Sequence, residues 1–136
     1  MMDPKIASLV GDLERGTGAT EDLIVTVHEE LDTILPHDYL EFMRCSNGAE
    51  GPIGSTGYLV LWSLEEVITL NQSLEVHKYA PGLILFGSDG GGEAYAFTMS
   101  ASPRRFVRIP FIPLDLEEAR ECGKTFAEFL ENIAIS

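Results

Sequence analysis

The run Leu83-Ile84-Leu85-Phe86 constrains the fold of this chain more than any other stretch. Four consecutive apolar residues, bounded by Pro81-Gly82 and Gly87, have the length of a strand. Because polar and apolar positions do not alternate, such a strand is covered on both faces. Asp89-Gly90-Gly91-Gly92 follows as a turn, since glycine reaches the positive φ that tight hairpins demand. Glu93-Ala94-Tyr95-Ala96-Phe97 then alternates like a returning strand. The centre of the molecule is therefore an antiparallel hairpin, and the rest of the chain must cover it.

Helical signals stand on both sides of that hairpin. From Glu21 to Ile34, the residues Leu23, Ile24, Val27, Leu31 and Ile34 recur at helical spacing. Thr20 is placed to cap them, with Glu21 and Asp22 in the first turn. Pro36 opens a second short helix with Tyr39, Leu40, Phe42 and Met43 on its apolar face, and Asn47-Gly48 ends it. Gly48 to Gly57, with four glycines and Pro52, reads as a loop or irregular hairpin. Tyr58 to Trp62 reads as a strand.

The pattern Ser63-Leu64-Glu65-Glu66 is a capping box that starts a helix running towards Tyr79. Arg105 to Ile109 alternates as a further antiparallel strand. Thr125-Phe126-Ala127-Glu128 is a second capping box, heading a helix with Phe126, Phe129, Leu130 and Ile133 on one side. Helices before, between and after clustered strands predict an α+β fold with a central, mainly antiparallel sheet. Neither a repeat nor a low-complexity linker divides the chain, so residues 1–136 read as a single domain.

Charge narrows the partners. Nine Lys and Arg against 22 Asp and Glu leave a formal charge of −13. Such a surface repels nucleic acid and anionic membranes and attracts a basic protein. No apolar stretch approaches the roughly 18 residues of a membrane span, and no secretory signal is visible at the N-terminus. Cys45 and Cys122 form no CxxC pair and read as thiols in a reducing compartment. These features predict a cytoplasmic protein. Nothing in the sequence sets its oligomeric state.

No catalytic pattern is complete. The glycines at 87, 90, 91 and 92 precede Glu93-Ala94, where a phosphate loop needs Lys followed by Ser or Thr. The string Phe86-Gly87-Ser88-Asp89-Gly90 lacks the first glycine of a nucleophile elbow. His28, His37 and His77 do not pair at helical spacing, so no metal site is expected. Glu66 and Asp89 have capping and turn duties that explain them without acid/base chemistry. Arg104, Arg105 and Arg108 are the one basic cluster and read as partners for the chain's own acids. The expectation is a non-enzyme without cofactor or metal. Tyr58 and Tyr79 read as core, whereas Trp62 reads as an anchor facing a partner.

Several strings together resemble one family. Leu35-Pro36-His37-Asp38-Tyr39 with Phe42, Asn47-Gly48, Gly51 and Ile53-Gly54 is similar to the first block of the SMI1/KNR4 proteins, the SUKH superfamily. Leu61-Trp62-Ser63 with Glu65-Glu66 resembles the second. Ala80 to Leu83 and Phe86 to Ala94 resemble the third and most specific. Ile109-Pro110-Phe111, then Thr125-Phe126 with Glu128-Phe129-Leu130, resembles the last. The blocks arrive in the family's order over about residues 20–133. Ala49, Pro52 and Thr98 depart from it, standing where glycine, an aromatic and Asp are usual.

The resemblance implies a binding role, and many bacterial members look like immunity proteins that neutralise a toxin. Charge points the same way, because a nuclease toxin must be basic to hold phosphate, and an acidic inhibitor is steered onto it. The alternative is a regulatory interaction module bound to a housekeeping enzyme, as in control of cell-wall synthesis. A small enzyme built on the Asp89–Glu93 turn is the remaining rival. The surface expected to meet a partner joins the Gly48–Gly57 loop, Trp62 and the turn. Its residues are Glu50, Trp62, Asp89, Gly90, Gly91, Gly92, Glu93 and Tyr95.

Overall fold

The computed structural model describes residues 2–100 and 102–135. Its helices are α1 (Pro4–Leu9), α2 (Glu21–Leu31), α3 (His37–Cys45), α4 (Leu64–Ser73), α5 (Val76–Tyr79) and α6 (Phe126–Ala134). Its strands are β1 (Glu14–Arg15), β2 (Ala49–Ile53), β3 (Gly57–Leu61), β4 (Leu83–Ser88), β5 (Glu93–Thr98), β6 (Phe106–Pro110) and β7 (Arg120–Gly123). Strand order follows chain order from β1 to β7, and every neighbouring pair is antiparallel. The α+β expectation holds. The run Leu83 to Phe86 is buried at every position, as its lack of alternation required.

An aromatic cluster fastens two helices to the sheet. Tyr39 and Phe42 of α3, Phe126 and Phe129 of α6, Phe86 of β4, Tyr95 and Phe97 of β5 and Phe106 of β6 meet there. Phe86 alone touches Tyr39 at 5.3 Å, Phe97 at 5.6 Å and Phe129 at 5.2 Å between ring centroids. Aromatic pairs at this spacing add about 0.5–1.5 kcal/mol each beyond the area they bury. Asp38 ties the same helices together. Its Oδ1 accepts from the Tyr39 N–H at 3.0 Å and its Oδ2 from the Ala127 N–H at 3.2 Å, so one carboxylate serves both first turns.

The β4 strand reaches this cluster through a local irregularity. Its pairing with β5 shifts between Leu85 and Gly87, so Phe86 is an extra residue that turns into the core. At Gly87 a Cβ would lie 2.4 Å from the Val60 carbonyl oxygen of β3, which explains the glycine. β3 pairs with β4 only at Val60–Ser88 and Leu61–Gly87. Beyond that point the Asn71 amide of α4 takes the place of a strand. It donates to the Leu85 carbonyl at 2.8 Å and accepts from the Leu85 N–H at 2.9 Å.

Several expectations need correction. The Gly48–Gly57 stretch is a regular hairpin: β2 runs through it, pairing Ala49–Leu61 to Ile53–Gly57. Pro52 is tolerated because it lies beyond β1, where no strand requires its missing N–H. The helix expected from Ser63 to Tyr79 breaks at Glu75, which adopts the left-handed conformation (φ 53°) and redirects α5 against β4. The Ser63–Glu66 box is complete. At the second box Thr125 accepts from the Glu128 N–H, but the Glu128 carboxylate accepts from the Lys124 N–H instead of returning to Thr125.

Candidate functional site

Sheet register aligns two rows of residues. Glu14 pairs with Glu50, Glu50 with Val60, Val60 with Ser88 and Ser88 with Ala94. Paired residues point to the same face, so these side chains share one side of the sheet. The neighbouring row, Ala49, Leu61, Gly87, Tyr95 and Arg108, points to the other.

Over β1 to β3 the first face is open. Glu14, Glu50 and Pro52 are exposed, Tyr58 is 41% exposed and Val60 is half-buried. Glu14 and Glu50 stand directly opposite each other, and like charges in that position oppose strand pairing. Among the described residues neither forms an ion pair. The Tyr58 hydroxyl donates to Glu50 Oε2 at 2.7 Å. That bond to Glu50, with burial and the negative charges of Glu50 and Glu14, holds the phenol above its ordinary pKa. Beside this row lies a groove of about 400 Å³, lined by Glu14, Arg15, Asn47, Glu50, Val60 and Glu66 among others.

The Asp89–Gly92 turn abuts the same face. Asp89 Oδ1 accepts from the N–H groups of Gly91 at 2.8 Å and Glu93 at 3.3 Å, and Ser88 Oγ accepts from Gly90 at 3.2 Å. Of the three glycines, Gly90 alone has positive φ, 84°. A Cβ there would lie 3.0 Å from the Tyr58 ring, so the turn rests on Tyr58. Gly91 and Gly92 are exposed and present bare backbone; a Cβ at Gly92 would meet nothing within 4 Å. Glu50, Tyr58 and Gly90 thus form one continuous surface.

Arg108 changes the charge of the turn. Its Nε lies 3.5 Å from Glu93 Oε1 and its Nη2 4.0 Å from Asp89 Oδ2. One cation between two carboxylates leaves the turn much less negative than its sequence implies. Arg105 pairs with Glu121 at 2.8 Å, as expected of the basic cluster. Arg104 does not follow: it donates to the carbonyls of Thr98 and Ile34, and no acid pairs with it among the described residues.

Two proposed contact residues are inside the fold. Trp62 is 7% exposed and stacks on Phe111, with ring centroids 6.4 Å apart. Tyr95 is 3% exposed, points to the face opposite Glu50 and meets Phe129 edge-on at 4.9 Å. Neither ring is offered to a partner. Conversely Tyr58 and Tyr79, read as core, are exposed. Sequence reasoning missed Glu14 and Tyr58. Tyr58 was findable: in Tyr58-Leu59-Val60-Leu61 the inward positions are Leu59 and Leu61, which leaves Tyr58 outward. Glu14 was not, because a two-residue strand carries no periodic signal.

Among the described residues no helix is long and apolar enough to cross a membrane, and no three His, Cys, Asp or Glu side chains are grouped to hold a metal ion. A helix-braced antiparallel meander with an open acidic face has the architecture of an α+β interaction module. The sequence matches the SMI1/KNR4 family (SUKH-1) over residues 18–132, and the chain belongs to that family. These proteins are in general non-catalytic protein-binding modules. No individual curated protein matches the chain.

Proposed function

We propose that this chain is an immunity protein that neutralises a basic toxin domain by covering its active surface, without turnover. The observation that carries this reading is the directly opposed pair Glu14 and Glu50 on an open sheet face. A fold that retains two uncompensated acids side by side is less stable for it, and a Lys or Arg from a partner would remove the penalty. The Tyr58 hydroxyl bonds Glu50 and its ring lies against Gly90, so the ring and the turn beyond it can pack against the same approaching surface. The net charge of −13 supports the same partner class, since it steers a cationic protein towards the molecule.

On this reading the contact surface is Glu14, Glu50, Tyr58 and the Asp89–Gly92 turn, with Trp62 and Tyr95 supporting it from within. The test is to look for a toxin gene beside this one, express its product in cells, and measure whether this chain protects them. Wild-type protein should restore growth. The double reversal Glu14→Lys/Glu50→Lys should lose protection while keeping its circular dichroism spectrum. Absence of a neighbouring toxin gene, absence of binding to its product, or protection undiminished by that reversal would refute the reading.

A further inference from the structure

A second cavity, of about 540 Å³, opens far along the fold from the acidic face, between the α2–α3 loop, the start of β6 and the start of α6. Ile34, Leu35, Pro36 and Phe106 give it apolar walls, and Arg104 and Lys124 stand in its lining. Its size is that of a small-molecule pocket.

The cations of this cavity are uncompensated. Among the described residues, neither Arg104 nor Lys124 forms an ion pair. Arg104 is partly buried with its guanidinium over the Phe97 ring at 5.5 Å, and its donors meet only the carbonyls of Thr98 and Ile34. Burial alone lowers its pKa from the usual arginine value. A carboxylate brought beside it would form a charge-assisted bond where solvent screening is weakened. The one acid in the lining, Asp38, already has both oxygens engaged by the Tyr39 and Ala127 N–H groups.

The cavity is also preformed and needs an apolar ligand. Ile34 is 72% exposed at its wall, beside Leu35, Pro36 and Phe106. The loop is nonetheless fixed: Arg104 Nη2 donates to the Ile34 carbonyl at 2.9 Å, and His28 Nε2 accepts from the Leu35 N–H at 3.4 Å. An ion alone would leave these walls wet, and a hydrocarbon alone would leave the cations unanswered. The other acid beside the cavity, Glu128, has its Oε1 engaged by the Lys124 N–H at 2.9 Å, and charges more than about 8 Å away are largely screened at physiological salt.

We propose that this cavity binds a small amphipathic carboxylate, its headgroup between Arg104 and Lys124 and its aliphatic part against Ile34, Leu35 and Phe106. The site is independent of the acidic face and of the toxin-binding reading.

The test titrates the full chain with octanoate by calorimetry and follows amide shifts by NMR, with acetate and 1-octanol as separate arms. Octanoate should bind saturably, about tenfold or more tighter than either comparison ligand, and shift the amides of Ile34, Thr125 and Ala127. Lys124→Glu, which touches no internal bond of the Lys124 side chain, should weaken octanoate about tenfold, the value of one charge-assisted contact. Equal affinity for 1-octanol, equal affinity for acetate, no saturation, shifts confined to other regions, or a Lys124→Glu protein that titrates like wild type would each overturn the proposal.

Discussion

The side chain of Asn71 makes both backbone hydrogen bonds at Leu85 that a neighbouring strand would make, donating at 2.8 Å and accepting at 2.9 Å. It stands where β3 leaves β4, and it is 5% exposed. Replacing it with Ala strands a buried donor and a buried acceptor on the strand that carries Phe86. Each unsatisfied group costs about 1–3 kcal/mol. Asn71→Ala should therefore lower unfolding free energy by roughly 2–5 kcal/mol, read from urea titration. A loss below about 1 kcal/mol would show that α4 does not close the sheet.

The glycines around the hairpin separate into two kinds. At Gly87 any Cβ meets the Val60 carbonyl oxygen at 2.4 Å, a backbone atom that cannot move without breaking the β3–β4 junction. At Gly92 a Cβ meets nothing within 4 Å, and the backbone is not left-handed. Gly87→Ala should cost about 2 kcal/mol or more, and Gly92→Ala should fall within about 0.5 kcal/mol of wild type. On the toxin-binding reading Gly92→Ala still weakens association, because it thickens the contact surface. Denaturation and binding measured on the same two proteins check both halves.

That division shows what could be read in advance. The glycine run announced a turn, and alternation in Glu93 to Phe97 announced β5, because both signals are local. The family blocks and the two helix-start patterns were legible for the same reason. Partner-facing residues were not, because facing depends on register between strands distant in sequence. Trp62 and Tyr95 are suited by residue type to contact surfaces, yet pairing places Tyr95 in the row with buried Leu61, and Phe111 covers Trp62. Arg108 lies fifteen residues beyond Glu93 in the chain, and only the β5–β6 pairing brings its charge to the turn.

Tyr39 sits at the centre of the aromatic cluster with its hydroxyl buried and without a hydrogen-bond partner among the described residues. The ring is indispensable to the packing and the oxygen is not. Tyr39→Phe should leave stability unchanged or raise it by up to about 1 kcal/mol. Phe126→Ala, which empties the space beside it, should cost about 3–5 kcal/mol. Thermal or urea unfolding of the two variants distinguishes ring from hydroxyl.

The buried phenols also set the alkaline limit of the fold. Burial pushes Tyr95 up to about 12 from its ordinary 10.0, and the nearby positive charge of Arg108 only partly opposes it; burial raises Tyr39 as well. A phenol held neutral by the folded state contributes stability that is complete below pH 10. That contribution disappears as pH rises through the folded value, because the unfolded chain ionises first. Stability should fall between pH 10 and about 12. The Tyr39→Phe/Tyr95→Phe protein should keep most of it there, measured by urea midpoints across that range.

The opposed pair Glu14 and Glu50 makes a prediction in which stability and binding part company. In the free protein the two carboxylates repel across one cross-strand position, and Glu14 makes no side-chain hydrogen bond or ion pair among the described residues. Glu14→Lys turns that repulsion into attraction and should stabilise the free chain by about 0.5 kcal/mol, the scale of an exposed pair. On the toxin-binding reading the same change inserts a cation where the partner's cation must sit. Association with a basic partner should then slow about tenfold or more and lose much of its salt dependence. Improved stability with slower association is the expected outcome. Improved stability with unchanged association would mean that the partner docks elsewhere, and reduced stability would mean that the two acids do not oppose each other in solution.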